Sequence, residues 1–163
     1  MKLRPLLLVA LIGTATTFSQ IALADPAPLV AAPGWVVTKT AMKYDALVHK
    51  LDEAVKANKM GVVNFASASD GAKAQGITIS GNRVVGVFRN DYARRMLAAS
   101  IPAGIEAPIR YYVTENADGS STLSYRTPAA VFAPYVDKAG ADLKKLSEEL
   151  DLVFAKIAED ATK

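Results

Sequence analysis

Hydrophobic and polar positions change period several times along the chain, and each change marks an element. Residues 35–40 (Trp-Val-Val-Thr-Lys-Thr) are β-branched and aromatic, which predicts a strand. From 44 to about 59 the period becomes helical: Leu47, Leu51, Ala54 and Val55 share one face, while Asp52, Glu53 and Lys56 share the other. Gly61 is expected to close that helix. Residues 62–65 predict a second strand, and Ser69 and Asp70 offer a cap for a short helix closed by Gly76. Residues 82–89 are expected to form the most buried strand, followed by a helix over 92–100 capped by Asn90 and Asp91. Pro102 and Gly104 interrupt the pattern. Strands over 109–114 and 122–126 flank the turn-forming residues 116–120, and Thr127-Pro128 closes the second of them. A terminal helix over 139–161 puts Leu143, Leu146, Leu150, Val153, Phe154 and Ile157 on one stripe.

A hairpin together with segregated helices argues for an α+β fold. The expected form is a two-layer sandwich, a mostly antiparallel sheet with helices on one face. One domain over 35–163 accounts for every periodic segment, and the Pro- and Ala-rich stretch 25–34 reads as a lead-in.

The first 24 residues follow a different logic. Lys2 and Arg4 precede the apolar run 6–12, and Ala22-Leu23-Ala24 supplies the small-x-small pattern of a signal-peptidase site. Cleavage after Ala24 is expected, which places the working protein in the periplasm with no membrane span. The absence of cysteine excludes a lipid anchor there, and also disulfides, thiolate metal sites and a cysteine nucleophile. Removing Lys2 and Arg4 leaves 17 basic against 16 acidic side chains, so the net charge falls from +3 to +1. A near-neutral domain is poorly suited to polyanions, and nucleic acid is excluded as a partner on charge and compartment.

Chemistry-bearing residues are sparse. The single histidine, His49, lies between Asp45 and Glu53 on the polar helix face, a pattern of favourable i,i+4 pairs rather than a metal or proton-relay site. Met42, Met60 and Met96 lack a paired ligand spacing and are expected to pack in the core. Ser67, Ser69 and Ser80 have no nucleophile elbow around them, and Gly71, Gly76 and Gly81 form no phosphate-binding fingerprint. No catalytic residue, metal site or cofactor is expected.

Several short segments carry a resemblance to a known family. These are Val87-Phe88-Arg89-Asn90-Asp91, Met96, the run Ala103-Gly104-Ile105-Glu106-Ala107-Pro108-Ile109, and Tyr125-Arg126-Thr127-Pro128. In order and spacing they resemble the domain of unknown function 302 family, from about Val36 to the terminal helix. The resemblance implies a two-layer α+β sandwich with a TATA-box-binding-protein-like strand–helix–strands–helix plan. Many members carry a histidine where this chain has Ala68, and the family's Gly-Asn-Pro is Arg89-Asn90-Asp91 here. The family's name assigns no function.

Strand parity supplies the candidate site. Arg110, Tyr112 and Thr114 alternate with the apolar residues of their strand, and Thr122, Ser124 and Arg126 with those of the next, which gives the hairpin a polar outer face. The candidate ligand-binding residues are Arg89, Asn90, Asp91, Arg110, Tyr112 and Arg126. Asn90 is expected to serve mainly as a helix cap. If Asn116 lies opposite Ser120, then Tyr112 faces Ser124 and Arg110 faces Arg126, so a carboxylate, Glu106 by sequence proximity, or a bound anion is expected between the two arginines. The corresponding function is a non-enzymatic exported binding or interaction module. Its partner is a small anionic ligand, a second copy of the chain, or another envelope protein. The alternative is an enzyme using arginine and carboxylate side chains around Arg89-Asn90-Asp91.

Overall fold

A computed structural model describes residues 29–163; the expected leader, 1–24, and residues 25–28 of the lead-in lie outside these residues. Its first strand, β1 (Trp35–Thr40), is followed by α1 (Tyr44–Ala57), β2 (Gly61–Ala66), α2 (Ala68–Ala74) and β3 (Asn82–Phe88). Then come α3 (Asn90–Ala99), a 3-10 turn (Pro102–Glu106), β4 (Ile109–Glu115), β5 (Ser121–Arg126), α4 (Pro128–Ala139) and α5 (Ala141–Thr162). The five strands lie in the order β1-β5-β4-β3-β2, and every neighbouring pair is antiparallel. The fold is therefore α+β, as the element pattern predicts. Because α1 joins the two edge strands, it must cross the sheet, and its apolar stripe Leu47, Leu51, Ala54 and Val55 is buried in doing so.

The core lies on one face of the sheet. Tyr111, Val113, Leu123 and Tyr125 project from β4 and β5 toward α5, which answers with Leu143, Leu146, Leu150, Phe154 and Ile157, all buried. At about 1.5–3 kcal/mol for each fully buried large side chain, this layer is the main source of stability. Tyr111 stacks on Phe154 at 4.9 Å, and Tyr125 lies 5.0 Å from Tyr111 and 5.9 Å from Phe154. The Tyr111 hydroxyl donates to the Phe154 carbonyl oxygen at 2.8 Å, so this buried polar atom is satisfied. Burial pushes that hydroxyl's pKa far above its ordinary value.

Several expectations need correction. Residues 128–139 form a helix that the pattern did not predict. Pro128 occupies its first turn, where its missing N–H costs nothing, and the Thr127 Oγ1 accepts from the Ala130 N–H at 3.2 Å. Asp151 of α5 completes the cap by accepting from the Ala129 N–H at 2.9 Å. The most buried strand is β5, not β3, because β5 lies between β1 and β4 and carries short Ser and Thr side chains on its outer side. Ser67, two residues earlier than expected, caps α2 by accepting from the Asp70 N–H at 3.0 Å. Lys59, with φ +58°, makes the turn after α1 that Gly61 was expected to make, and Gly61 opens β2. Met60 and Met96 are buried, and Met42 packs against them from the core's margin.

At the far edge, β2 has its backbone paired only to β3, with a register shift between Val62 and Asn64. Val63 and Phe65 on this edge are 54% and 62% exposed. No described helix is long and apolar enough to cross a membrane.

Candidate functional site

The face of the sheet away from the core is read in cross-strand rows, since directly opposed residues share a face. In the first row Trp35 pairs with Arg126, while Arg110 pairs with Gly86 and Gly86 with Asn64. The β4–β5 register runs Tyr111↔Tyr125 and Tyr112↔Ser124, as the turn residues predict, so Arg110 and Arg126 occupy the next opposed positions. The turn itself has Asn116 opposite Ser120, with the Asn116 N–H donating to the Ser120 carbonyl at 2.8 Å and Gly119 at φ +74°. The second row is Val37, Ser124, Tyr112, Val84 and Ala66, and the third is Lys39, Thr122, Thr114 and Asn82.

These rows contain three cations, Arg126, Arg110 and Lys39, and no carboxylate. Both arginines are exposed, and among the described residues neither pairs with an acid. The Arg126 Nη2 donates to the Ala130 carbonyl at 3.2 Å, which anchors the guanidinium by one of its five N–H groups. Glu106, expected between the arginines, is engaged elsewhere: its carboxylate accepts from the Tyr135 hydroxyl at 2.8 Å. Thr122 and Ser124 have the expected parity but are 3% and 1% exposed. Their hydroxyls donate to the Asn116 side chain at 2.9 Å and to the Tyr112 carbonyl at 3.3 Å.

Arg89, Asn90 and Asp91 belong to a different place. They sit where β3 passes into α3, and the Arg89 Nε and Nη2 donate to the two Asp91 carboxylate oxygens at 2.6 and 3.0 Å. The Arg89 guanidinium also lies 4.1 Å over the Tyr92 ring. Its hydrogen bonds hold the Asp91 carboxyl below the ordinary carboxylate value, and those from Asp91 raise the Arg89 pKa in turn. Asn90 is exposed and is the first residue of α3, and α3 has no side-chain cap; the expected capping role is not observed. The six candidate residues therefore form two groups rather than one site. Arg89 and the 107–108 end of the turn do line one cavity, with Tyr92, Met96 and Phe154, but it holds about 30 Å3. That is room for about one water, far below the roughly 300 Å3 of a ligand pocket.

Two features escaped the sequence reading. Trp35, 39% exposed, joins the arginine row only through the pairing of β1 with β5. A groove of about 590 Å3 runs between the end of α3 and α4, lined by Leu97, Ile101, Pro134, Tyr135 and Lys138 among others. Ile101 in its lining is 79% exposed, and Ile105 in the 3-10 turn that follows is 81% exposed. The spacing Leu97, Ile101, Ile105 was its available signal. His49 lies on a solvated face, its Nδ1 3.6 Å from Glu53. Among the described residues no group of three or more His, Cys, Asp or Glu side chains is placed to hold a metal ion.

The family model for a domain of unknown function, DUF302, matches residues 36–157, most of the chain. The chain belongs to the DUF302 family. Its fold is similar to the crystal structure of an uncharacterized conserved DUF302 protein from Bacillus stearothermophilus, with a TM-score of 0.70 and 16% identity. The similarity covers 81% of this chain and 100% of that one, and at this identity it concerns the fold. No curated protein sequence matches the chain. Ala68 opens α2, and its N–H donates to the Asn82 side chain at 3.0 Å.

Proposed function

We propose that this DUF302 protein is an exported, non-enzymatic binding module whose open sheet face receives a small anionic molecule. Export rests on the leader: the basic Lys2 and Arg4, the apolar run, and the Ala22-Leu23-Ala24 cleavage pattern support a periplasmic mature chain. The observation that carries the binding assignment is the first row of the open face, where the register sets Arg110 and Arg126 at opposed positions and, among the described residues, neither pairs with a carboxylate. Like charges opposed on one face are unfavourable. An anion between them converts that repulsion into charge-assisted hydrogen bonds, and two guanidinium forks suit an acceptor with several oxygens.

The test is calorimetric titration of the mature chain, 25–163, with inorganic phosphate and with sulfate at low salt. Saturable binding that weakens as salt rises, and that the pair Arg110→Ala and Arg126→Ala abolishes, is the expected result. Absence of binding, or binding that survives both substitutions, overturns the assignment. Periplasmic fractionation with a mature N-terminus at Asp25 is the expected outcome for export; retention of the leader overturns it.

A second reading, docking of a partner, is favoured by the groove beside Leu97, Ile101 and Ile105, since exposed contiguous apolar surface marks interaction sites. It predicts a concentration-dependent complex, by light scattering or with envelope extract, that Ile101→Glu removes. The enzymatic alternative at Arg89-Asn90-Asp91 gains no support: the Asp91 carboxyl is held ionised and closed onto Arg89.

A further inference from the structure

We infer that the anion carries a planar ring, with the charged group between Arg110 and Arg126 and the ring on Trp35. This rests on the anion-binding reading above and names its ligand class: a small aryl or heteroaryl phosphate or carboxylate.

The order of groups across the first row sets a direction. One end is walled. A Cβ at Gly86 would fall 2.1 Å from the Asn64 Oδ1 and 2.8 Å from the Pro108 Cγ, so those two side chains stand directly over the Gly86 backbone beside Arg110. The other end is open and carries Trp35. With strands about 4.8 Å apart, Trp35 and Arg110 are two spacings apart, roughly 10 Å, the length of a single ring with an anionic substituent.

Among the described residues the partly exposed indole has no arginine over it, for a specific reason. Elsewhere in the fold arginines lie over rings: Arg83 is 4.6 Å from the Phe65 centroid, and Arg89 is 4.1 Å from that of Tyr92. Arg126 is paired directly with Trp35 across the strands, yet among the described residues it makes no such contact. Its guanidinium is instead drawn to the Ala130 carbonyl. The exposed indole is thus left for another flat apolar surface, and aromatic pairs of this kind favour stacked or tilted contact. Beside the row, Ser124 is buried between half-buried Val37 and Tyr112 with its hydroxyl already bonded to the backbone, so the floor there asks for no polar partner.

Trp35 is the only tryptophan of the chain, so its fluorescence reports on this row alone. The mature chain is titrated with phenyl phosphate, benzoate and inorganic phosphate, by fluorescence and by calorimetry. Phenyl phosphate is expected to bind about tenfold more tightly than inorganic phosphate and to change Trp35 emission. The Trp35→Leu variant, confirmed folded by circular dichroism, is expected to bring phenyl phosphate down to the affinity of inorganic phosphate and to leave the latter unchanged; Trp35→Phe is expected to retain most of the preference. Benzoate binding alongside phenyl phosphate assigns the head group as any planar or tetrahedral oxyanion, and its failure to bind restricts the class to phosphates. Equal affinity for phenyl and inorganic phosphate, or an intact preference in Trp35→Leu, overturns the ring while leaving the anion site standing. Failure of every anion to bind the unsubstituted chain overturns both.

Discussion

The two faces of this sheet are built from alternate residues of the same strands and have opposite characters. Arg110 and Tyr111 are neighbours in sequence. Tyr111 is fully buried, stacked on Phe154 and hydrogen-bonded through its hydroxyl, whereas Arg110 is exposed and unpaired among the described residues. The same contrast divides the arginines. Arg83, Arg89 and Arg95 each bond a carboxylate, and each lies over an aromatic ring. Among the described residues, Arg110 and Arg126 have neither. An arginine's surroundings in this fold are decided by what the strand register sets beside it: the first group is held by carboxylates and rings, and the second, among the described residues, has no such partner.

The largest expected break in this comparison comes from cutting the aromatic group on the buried face. Phe154→Ala should cost about 3–5 kcal/mol in urea unfolding, against about 1 kcal/mol or less for Tyr112→Ala on the open face. Equal losses would mean that the open face is covered and structural. Next in size is Tyr111→Phe, which strips the partner from the Phe154 carbonyl and should cost about 1–2 kcal/mol with the stacking kept. The arginines should then separate by readout. Arg89→Ala loses an ion pair and a ring contact, about 1 kcal/mol of stability, and should leave phosphate affinity unchanged. Arg110→Ala should do the reverse, and similar behaviour of the two variants would erase the distinction.

Acid and base titration sharpen the comparison by smaller amounts. The Asp91 carboxyl is held below its ordinary 3.8 by hydrogen bonds from Arg89, so its contribution to stability is present above that value and lost as pH falls through the lower folded pKa. Asp91→Asn should therefore flatten the acid limb of a stability profile below about pH 4. Asp151 has the opposite sign. Burial raises its pKa, so its contribution is complete below the unfolded pKa and declines as pH rises through the folded one. Asp151→Asn keeps an acceptor for the Ala129 N–H and should be no less stable than the parent at pH 7, with its advantage shrinking in acid; a loss at pH 7 would show that the charge itself holds the α4 N-terminus.

Local patterns carried most of the fold. The turn chemistry of Asn116 to Ser120 sufficed for the β4–β5 register, because a hairpin is a contact between near neighbours in sequence. The helix α4 was not legible: Pro134 in its interior and few charged residues hide the helical period, although Thr127-Pro128 is a cap followed by a first-turn proline as much as a strand end. At the site, parity placed Arg110, Tyr112 and Arg126 on one face, but nothing local could bring Trp35 beside Arg126. Their pairing joins the first strand to the last, and such long-range registers leave no periodic trace in either segment. Arg89 and Asp91 were grouped with the others because they too are polar residues at a strand end; only the tertiary structure shows them closed on each other.

The outer edge of β2 bears on how this protein behaves as a colloid. Its backbone is paired on one side only, Val63 and Phe65 are exposed along it, and it has neither the proline nor the charge that commonly blunts such an edge. A net charge of only +3 over 163 residues offers little long-range repulsion between molecules near neutral pH. What remains is the register shift between Val62 and Asn64, which kinks the edge out of line with any strand approaching it, and Arg83, which lies over Phe65. Two small features therefore stand between this edge and a second copy of the chain: an irregularity in a six-residue strand and one arginine laid over its aromatic ring.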